Sequence, residues 1–422
     1  MRLPLFTLFV AASLQATPLQ ELLQKLKTAP ITQTHNIETQ LAKLYRQKTS
    51  DKFYPQINLF ATYEHYTNDT NLRPLPPPKA NSLIAQHEPL PFAQNIQRIG
   101  ANFSMPLFVK SLFSLRKKAE HLLKAAKLKA KLQLLQNQAI IVGAYAQLIY
   151  LKELQKALQA RKKALSKTKE DIAIKVKNGR AAPIAIDKID NLLNSIDMAL
   201  LNLQANRTKA LSTIAALIGS KPKSVEPIKQ ITPLTTNTLF AIKPMQAALQ
   251  ADKKALQASK EQLLPRLLAE GSFTKSYAQD DVMFGKSLHL GYGYVGVKLV
   301  LPLVKSSFTG IEIAKAKLLQ SNSQLSQKRF ELLAKAKALQ KELKLNSQAQ
   351  KLARKQVKSQ KNLLHYAKTA FSVGRMDEEE YLRYEAALLE AQMKLAQTKL
   401  QKWQILSQLA VIYGNDLERI VQ

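Results

Sequence analysis

FSVGRMDEEE, residues 371–380, sets four acidic residues one position behind a Gly-Arg pair in a chain whose formal net charge is +33. The same pair stands at VKNGR (176–180), and 40 residues beyond each pair comes another glycine, so that Gly179 and Gly219 match Gly374 and Gly414 at an offset of 195. GRAAPIAIDKID…IAALIG is thus the counterpart of GRMDEEEYLRYE…LAVIYG. Upstream, GANFSMPLF (100–108) pairs with GVKLVLPLV (296–304) at an offset of 196, and YPQINLFATY (54–63) with LPRLLAEGSF (264–273) at 210. Six of the twelve glycines obey one register, and a repeat found in this way takes precedence over any element-by-element reading. The chain is an internal duplication.

The fall in offset from 210 to 196 places about fourteen extra residues in NDTNLRPLPPPKANSLIAQHEPLPFAQ (68–94), which holds six of the eighteen prolines. That composition predicts an exposed, partly polyproline loop and no element. On either side the pattern has period two. Ile57, Leu59, Ala61 and Tyr63 alternate with polar residues, as do Ile99, Ala101, Phe103 and Met105. These are two half-buried strands of one hairpin. Leu267, Ala269 and Phe273 repeat the pattern in the second copy, whose last strand, LHLGYGYVGVKLVL (288–301), alternates poorly before Gly296 and predicts a bulge or register change.

From Val109 to Lys177 there is no proline and one glycine, and after Pro302 there is no proline at all. A helix of that extent is about 100 Å long, beyond the needs of an ordinary globular domain. Apolar residues at Leu132, Leu135, Ala139, Val142, Ala146 and Ile149 step by three and four, as do Tyr381, Tyr384, Leu388, Ala391 and Leu395. This is coiled-coil packing, with Lys- and Gln-rich faces left to solvent. Each copy reads as hairpin, long helix out, turn at the Gly-Arg pair and shorter helix back. The glycine supplies a left-handed cap, Pro183 suits the first position of one returning helix, and Asp377 suits the N-cap of the other, with Glu380 three residues on as its capping partner.

The N-terminal MRLPLFTLFVAASLQA has the layout of a secretory signal cleaved after Ala16, and its apolar run is too short for a retained membrane helix. Export turns the positive charge toward envelope polymers and lipid headgroups and away from nucleic acid. With no cysteine there is no disulfide and no thiolate metal site. The expected layout is a signal at 1–16, N-terminal helices at 17–54, a hairpin at 55–106, long and returning helices at 107–219 and a connector at 220–237. A helix at 238–264, the second hairpin at 265–302, long and returning helices at 303–414 and a tail at 415–422 complete it.

Four amphipathic strands are too few for a single-chain membrane barrel, so several chains must combine to close one. In the order and spacing of YPQINL and LPRLLA, FSMPLF and LVLPLV, VKNGR and FSVGR, the chain resembles the TolC-type outer-membrane efflux proteins over its whole mature length. The resemblance implies a mixed α/β membrane fold in a homotrimer: a 12-stranded β-barrel in outer-membrane lipid, four strands per chain, above a periplasmic α-helical coiled-coil tunnel. It also implies a passive exit duct that docks on a periplasmic adaptor and an inner-membrane pump of the RND or ABC type. In that family an acid six residues after the second turn glycine lines the tunnel entrance, which here is Glu380. Arg383 stands where a further aspartate is expected, and in the first copy Asp187 is displaced by two. Asp377, Glu380, Arg383 and Asp187 are therefore gate candidates, and Glu380 keeps both readings, pore and cap. Gly179, Arg180, Gly374 and Arg375 are candidates for the adaptor-docking tip.

Other signals are discounted. GYGYVG (291–296) matches a dinucleotide pattern but is followed by a strand, whereas pyrophosphate binding requires a helix N-terminus. Its glycines fit a smooth barrel wall, with Tyr292 and Tyr294 at a membrane interface. The six histidines lack metal-ligand spacing, and no catalytic constellation appears, so neither enzyme activity nor a cofactor is expected. The alternatives are an outer-membrane duct for type I protein secretion and, from another class, a secreted coiled-coil structural protein. Drugs, amphiphiles or metal cations are the cargo of the leading reading.

Overall fold

The computed structural model describes residues 18–278, 287–302 and 304–421, so the signal-like segment and the tip of the second hairpin lie outside the described residues. Two short N-terminal helices, α1 (Pro18–Thr28) and α2 (Pro30–Asp51), precede the first copy: β1 (Gln56–Asn71), α3 (Pro77–Ala85), β2 (Phe92–Phe108), α4 (Lys110–Lys177) and α5 (Ile184–Ile218). The second copy follows as α6 (Lys243–Glu261), β3 (Arg266–Ala278), β4 (Leu288–Val300), α7 (Lys305–Ser372) and α8 (Glu378–Tyr413). Both outgoing helices have 68 residues, and the returning helices have 35 and 36. None of the described helices is long and apolar enough to cross a membrane.

The chain divides into two compact units that cut across the duplication. One comprises 40–126 and 245–324 and contains all four strands in a single antiparallel sheet of order β1-β2-β3-β4. Cross-strand partners share a face, so the pairings sort the side chains into rows. Leu59, Ala101, Phe273 and Gly293 form one row and Ile57, Phe103, Gly271 and Val295 the next. This apolar face is the exposed one: Leu59 is 83% and Val295 80% accessible. The strands are therefore not half-buried as their alternation predicts, because within one chain nothing covers the face that would ordinarily become core. The opposite face carries Asn58, Asn102, Ser272 and Tyr294, then Thr62, Arg98, Ser276 and Leu290. Phe60 lies over Gly100 and Phe103 over Gly271, so a Cβ at either glycine would collide with the ring.

Three expectations are corrected here. The proline-rich segment contains the helix α3, because Pro77 and Pro78 occupy its first positions, where a missing N–H costs nothing, and KANSLIA after them is free of breakers. The β3–β4 ladder runs without a shift from Arg266↔Val300 to Ala278↔Leu288. The irregularities lie instead between His65 and Thr70 and between Pro106 and Phe108, the latter where proline cannot donate to the ladder. Finally, Tyr292 and Tyr294 stand in the rows of Thr274 and Ser272 on the polar face, and Gly291 and Gly293 stand on the apolar one.

The other unit comprises the N-terminal stretch to Thr39, Lys127–Pro244 and Leu325–Gln422. Leu19, Leu22, Leu23 and Leu26 of α1 pack with Ile141, Val142 and Tyr145 of α4, Ile214 of α5 and Trp403, Leu406 and Ala410 of α8. Trp403 is thus a core residue. Gln138, fully buried in this apolar setting, is satisfied at both ends of its amide. Its Nε2 donates to Asp416 Oδ1 at 2.8 Å and its Oε1 accepts from the Leu417 N–H at 3.2 Å, which fixes the C-terminal turn to α4.

Candidate functional site at the helix turns

Gly179, Gly219, Gly374 and Gly414 are the only described glycines with positive φ, from +68° to +80°. Each ends a helix. At the first turn the Gly179 N–H donates to Val176 O at 3.0 Å and the Arg180 N–H to Lys175 O at 2.8 Å; at the second, Gly374 donates to Phe371 O at 3.2 Å and Arg375 to Ala370 O at 2.9 Å. The backbone amides of the arginines, not their guanidinium groups, close the preceding helices. Both arginine side chains are exposed and form no ion pair among the described residues, so the two Gly-Arg pairs present solvent-facing cations at the ends of two helical hairpins.

The returning helices start differently. Pro183 already has helical dihedrals, φ −54° and ψ −34°, at the head of α5. Asp377 is the N-cap of α8, its Oδ1 accepting from the Glu380 N–H at 2.7 Å. The return bond from the Glu380 carboxylate is not among the described hydrogen bonds, so half of the capping box forms. The half-buried Glu380 carboxylate therefore remains free for another partner. Glu378, in the same first turn, has its carboxyl pushed above the ordinary range by burial, against the opposing pull of Lys188 and Lys175. Arg383 and Asp187 are exposed and make no ion pair among the described residues. The structure thus brings Asp377 and Glu380 together and leaves Arg383 and Asp187 as separate surface charges.

A second cluster just inside the turns has no counterpart in the sequence expectations. The Phe371 and Tyr381 rings stack across the second turn, with centroids 4.8 Å apart and planes at 11°, and Lys175 Nζ of α4 lies 4.7 Å from the Phe371 centroid. The Tyr381 hydroxyl donates to Glu385 Oε1 at 3.0 Å, one helical turn on. Glu385 is buried, and its Oε2 has no hydrogen-bond partner. Burial raises its carboxyl pKa, and the Tyr381 bond, Arg161 and Lys368 only partly offset it. Burial and Glu385 together hold the Tyr381 proton far more tightly than usual. The visible signal is the pair of aromatics flanking the Gly-Arg turn, with a carboxylate four residues after the second.

Because its pKa is raised in the fold, Glu385 contributes stability that is present below the ordinary carboxylate pKa and lost as pH rises through the raised value. Glu385→Gln is accordingly expected to raise stability at neutral pH by about 1 kcal/mol. Thermal melts at stepped pH check this, and the difference should vanish on acidification.

Residues 239–415 match the family model described as outer membrane efflux protein. Among solved structures, the CusC channel has the same fold, with a TM-score of 0.78 and 13% identity over 94% of this chain and 92% of that one. The Campylobacter jejuni CmeC outer membrane channel aligns with a TM-score of 0.76 and 15% identity over 94% and 86%. The Vibrio cholerae outer membrane protein VceC aligns with a TM-score of 0.74 and 17% identity over 94% and 95%. No curated protein matches the chain in sequence. The family match falls on the second copy and the fold likeness covers 94% of the chain, so the resemblance to TolC-type outer-membrane efflux proteins is borne out.

Proposed function

We propose that the protein is the outer-membrane exit duct of a tripartite efflux system. The observation that carries this reading is the four-stranded sheet with one largely exposed apolar face, joined to two 68-residue helices. Three such sheets closed edge to edge make a twelve-stranded barrel whose apolar face meets lipid, removing both open edges at once. The helices then continue as a periplasmic tunnel. The duct is passive and takes its energy from an inner-membrane pump through a periplasmic adaptor, which docks on the exposed turns at Gly179-Arg180 and Gly374-Arg375. Three copies of Glu380, spared from capping, form a ring of carboxylates at the entrance that favours cations.

The test is intracellular accumulation of a fluorescent cationic amphiphile and of divalent metals in cells with and without the gene. Accumulation of either class on deletion supports the duct, and which one rises identifies the cargo. No change in either would oppose the efflux reading. Glu380→Gln is expected to lower the cation preference of the reconstituted channel about two- to tenfold, measured as a reversal potential in a salt gradient, with assembly unchanged.

A further inference from the structure

The apolar face of the sheet must meet lipid if the barrel closes, so the opposite face lines the lumen. Both hairpins join their helices at the same end of the sheet, so the loop between β1 and β2 lies at the outward mouth. A hairpin loop has no need to touch a strand outside its own hairpin, yet the base of this one reaches the polar face of β3.

After the register shift beyond His65, β1 stays paired with β2 as far as Asn71↔Phe92, and Leu72 then lies against Arg98 of β2 and Ser276 of β3. Arg98 of β2, whose side chain is 14% exposed, organises the crossing. Its Nη2 donates to Asn71 O at 3.1 Å, its Nη1 to Leu72 O at 3.1 Å and to Ser276 Oγ at 3.2 Å, and its Nε to Glu64 Oε2 at 3.0 Å. The Ser276 hydroxyl of β3 donates to the same Leu72 carbonyl at 2.9 Å, and Tyr66 donates to Glu64 at 2.7 Å. Glu64, Arg98 and Ser276 all belong to the polar face. The Leu72 side chain is fully buried with Ala93, Ile96, Ala278 and Leu288. The Leu72 N–H donates to Pro91 O at 2.9 Å, so both ends of the intervening loop are fixed.

We propose that the proline-rich loop of the first hairpin is a fixed restrictor of the outward mouth, held across the lumenal face by Arg98 and Ser276, which sets the upper size of what leaves. The inference rests on the duct reading and adds its size-determining element. Every tie is at the base of the loop. The helix α3 buries none of its residues, so between the ties the loop is held at its ends alone, with Pro74 and Pro76 restricting the backbone ahead of α3. The matching loop of the second copy is about fourteen residues shorter. Arg98 and Ser276 are positioning residues that act through the Leu72 carbonyl.

The chain has no cysteine, which allows a direct test. Asn102 on the polar face and Leu59 on the apolar face are replaced by cysteine one at a time. Intact cells are then treated with a small charged maleimide and with a bulky polyethylene-glycol maleimide. The Asn102→Cys chain is compared with the same chain carrying residues 74–89 replaced by Gly-Ser, and with Arg98→Met plus Ser276→Ala. The expected result is that the small reagent labels Asn102→Cys in every background, while the bulky one reacts about tenfold faster once the loop is shortened or untied. Equal bulky-reagent rates in the wild-type and loop-shortened backgrounds, fast or absent, would overturn the restrictor and leave the duct standing. Labelling of Leu59→Cys but not Asn102→Cys by the small reagent would overturn the assignment of faces and the duct with it. The loop-shortened chain keeps Arg98, so the test survives a failure of the double variant to assemble.

Discussion

Replacing Gly414 by alanine is expected to lower stability by about 2–4 kcal/mol, whereas the same change at its counterpart Gly219 costs about 1 kcal/mol. Both glycines are left-handed helix ends, with φ of +80° and +70°, so both substitutions strain the backbone. They differ in their surroundings. A Cβ at Gly414 would lie 2.5 Å from both Cβ and Cγ of Phe240, a buried ring that cannot swing aside, while a Cβ at Gly219 meets nothing within 4 Å. Thermal melts followed by far-UV circular dichroism check the pair. Equal losses would show that backbone strain alone governs these turns.

The second large effect lies where accessibility within one chain would predict none. Leu59 is 83% exposed on the apolar face of the edge strand β1, so arginine there would be harmless in a water-facing sheet. In a membrane barrel each chain instead incurs about 2–4 kcal/mol, and a trimer three times that. Leu59→Arg is expected to abolish the heat-labile oligomer in outer-membrane fractions. Asn58→Arg, one residue away on the polar face, is expected to leave it intact. Equal assembly of the two variants on gel electrophoresis of unheated samples would contradict the assignment of lipid and lumen.

The long helices were legible because proline is absent over whole segments and apolar residues recur every three or four positions. The turns were legible because four glycines repeat at fixed offsets, and all four adopt the left-handed conformation that favours glycine. Asp377 revealed its capping role through its spacing to Glu380. What stayed hidden depends on partners distant in sequence. Arg98 and Ser276 are 178 residues apart, and no local pattern in β2 or β3 announces their pairing. Tyr292 is flanked by glycines and Tyr294 by Gly293 and Val295, so the immediate alternation sets a polar aromatic against small or apolar residues without saying which face meets lipid, and the register with β3 decides the matter. The helix α3 was masked by prolines that start a helix as readily as they break one. Glu385 read as one more surface acid on a charged helix, and only the packing of α4 against α8 makes it a buried one.

The matched lengths of the two outgoing helices and their returns constrain how such a chain can change. One residue inserted into α4 alone would turn everything after it by about 100° and advance it by about 1.5 Å. The apolar stripe that α5 meets would then leave its face, and the first turn would fall out of level with the second. Only compensated changes preserve the seam: whole heptads removed at matching heights from α4, α5, α7 and α8 together. The proline-rich loop is under no such condition, since a longer loop costs little and no repeat answers it. The duplication therefore makes the paired helical hairpins a ruler whose length changes only in coordinated steps, and leaves the proline-rich loop free to vary residue by residue.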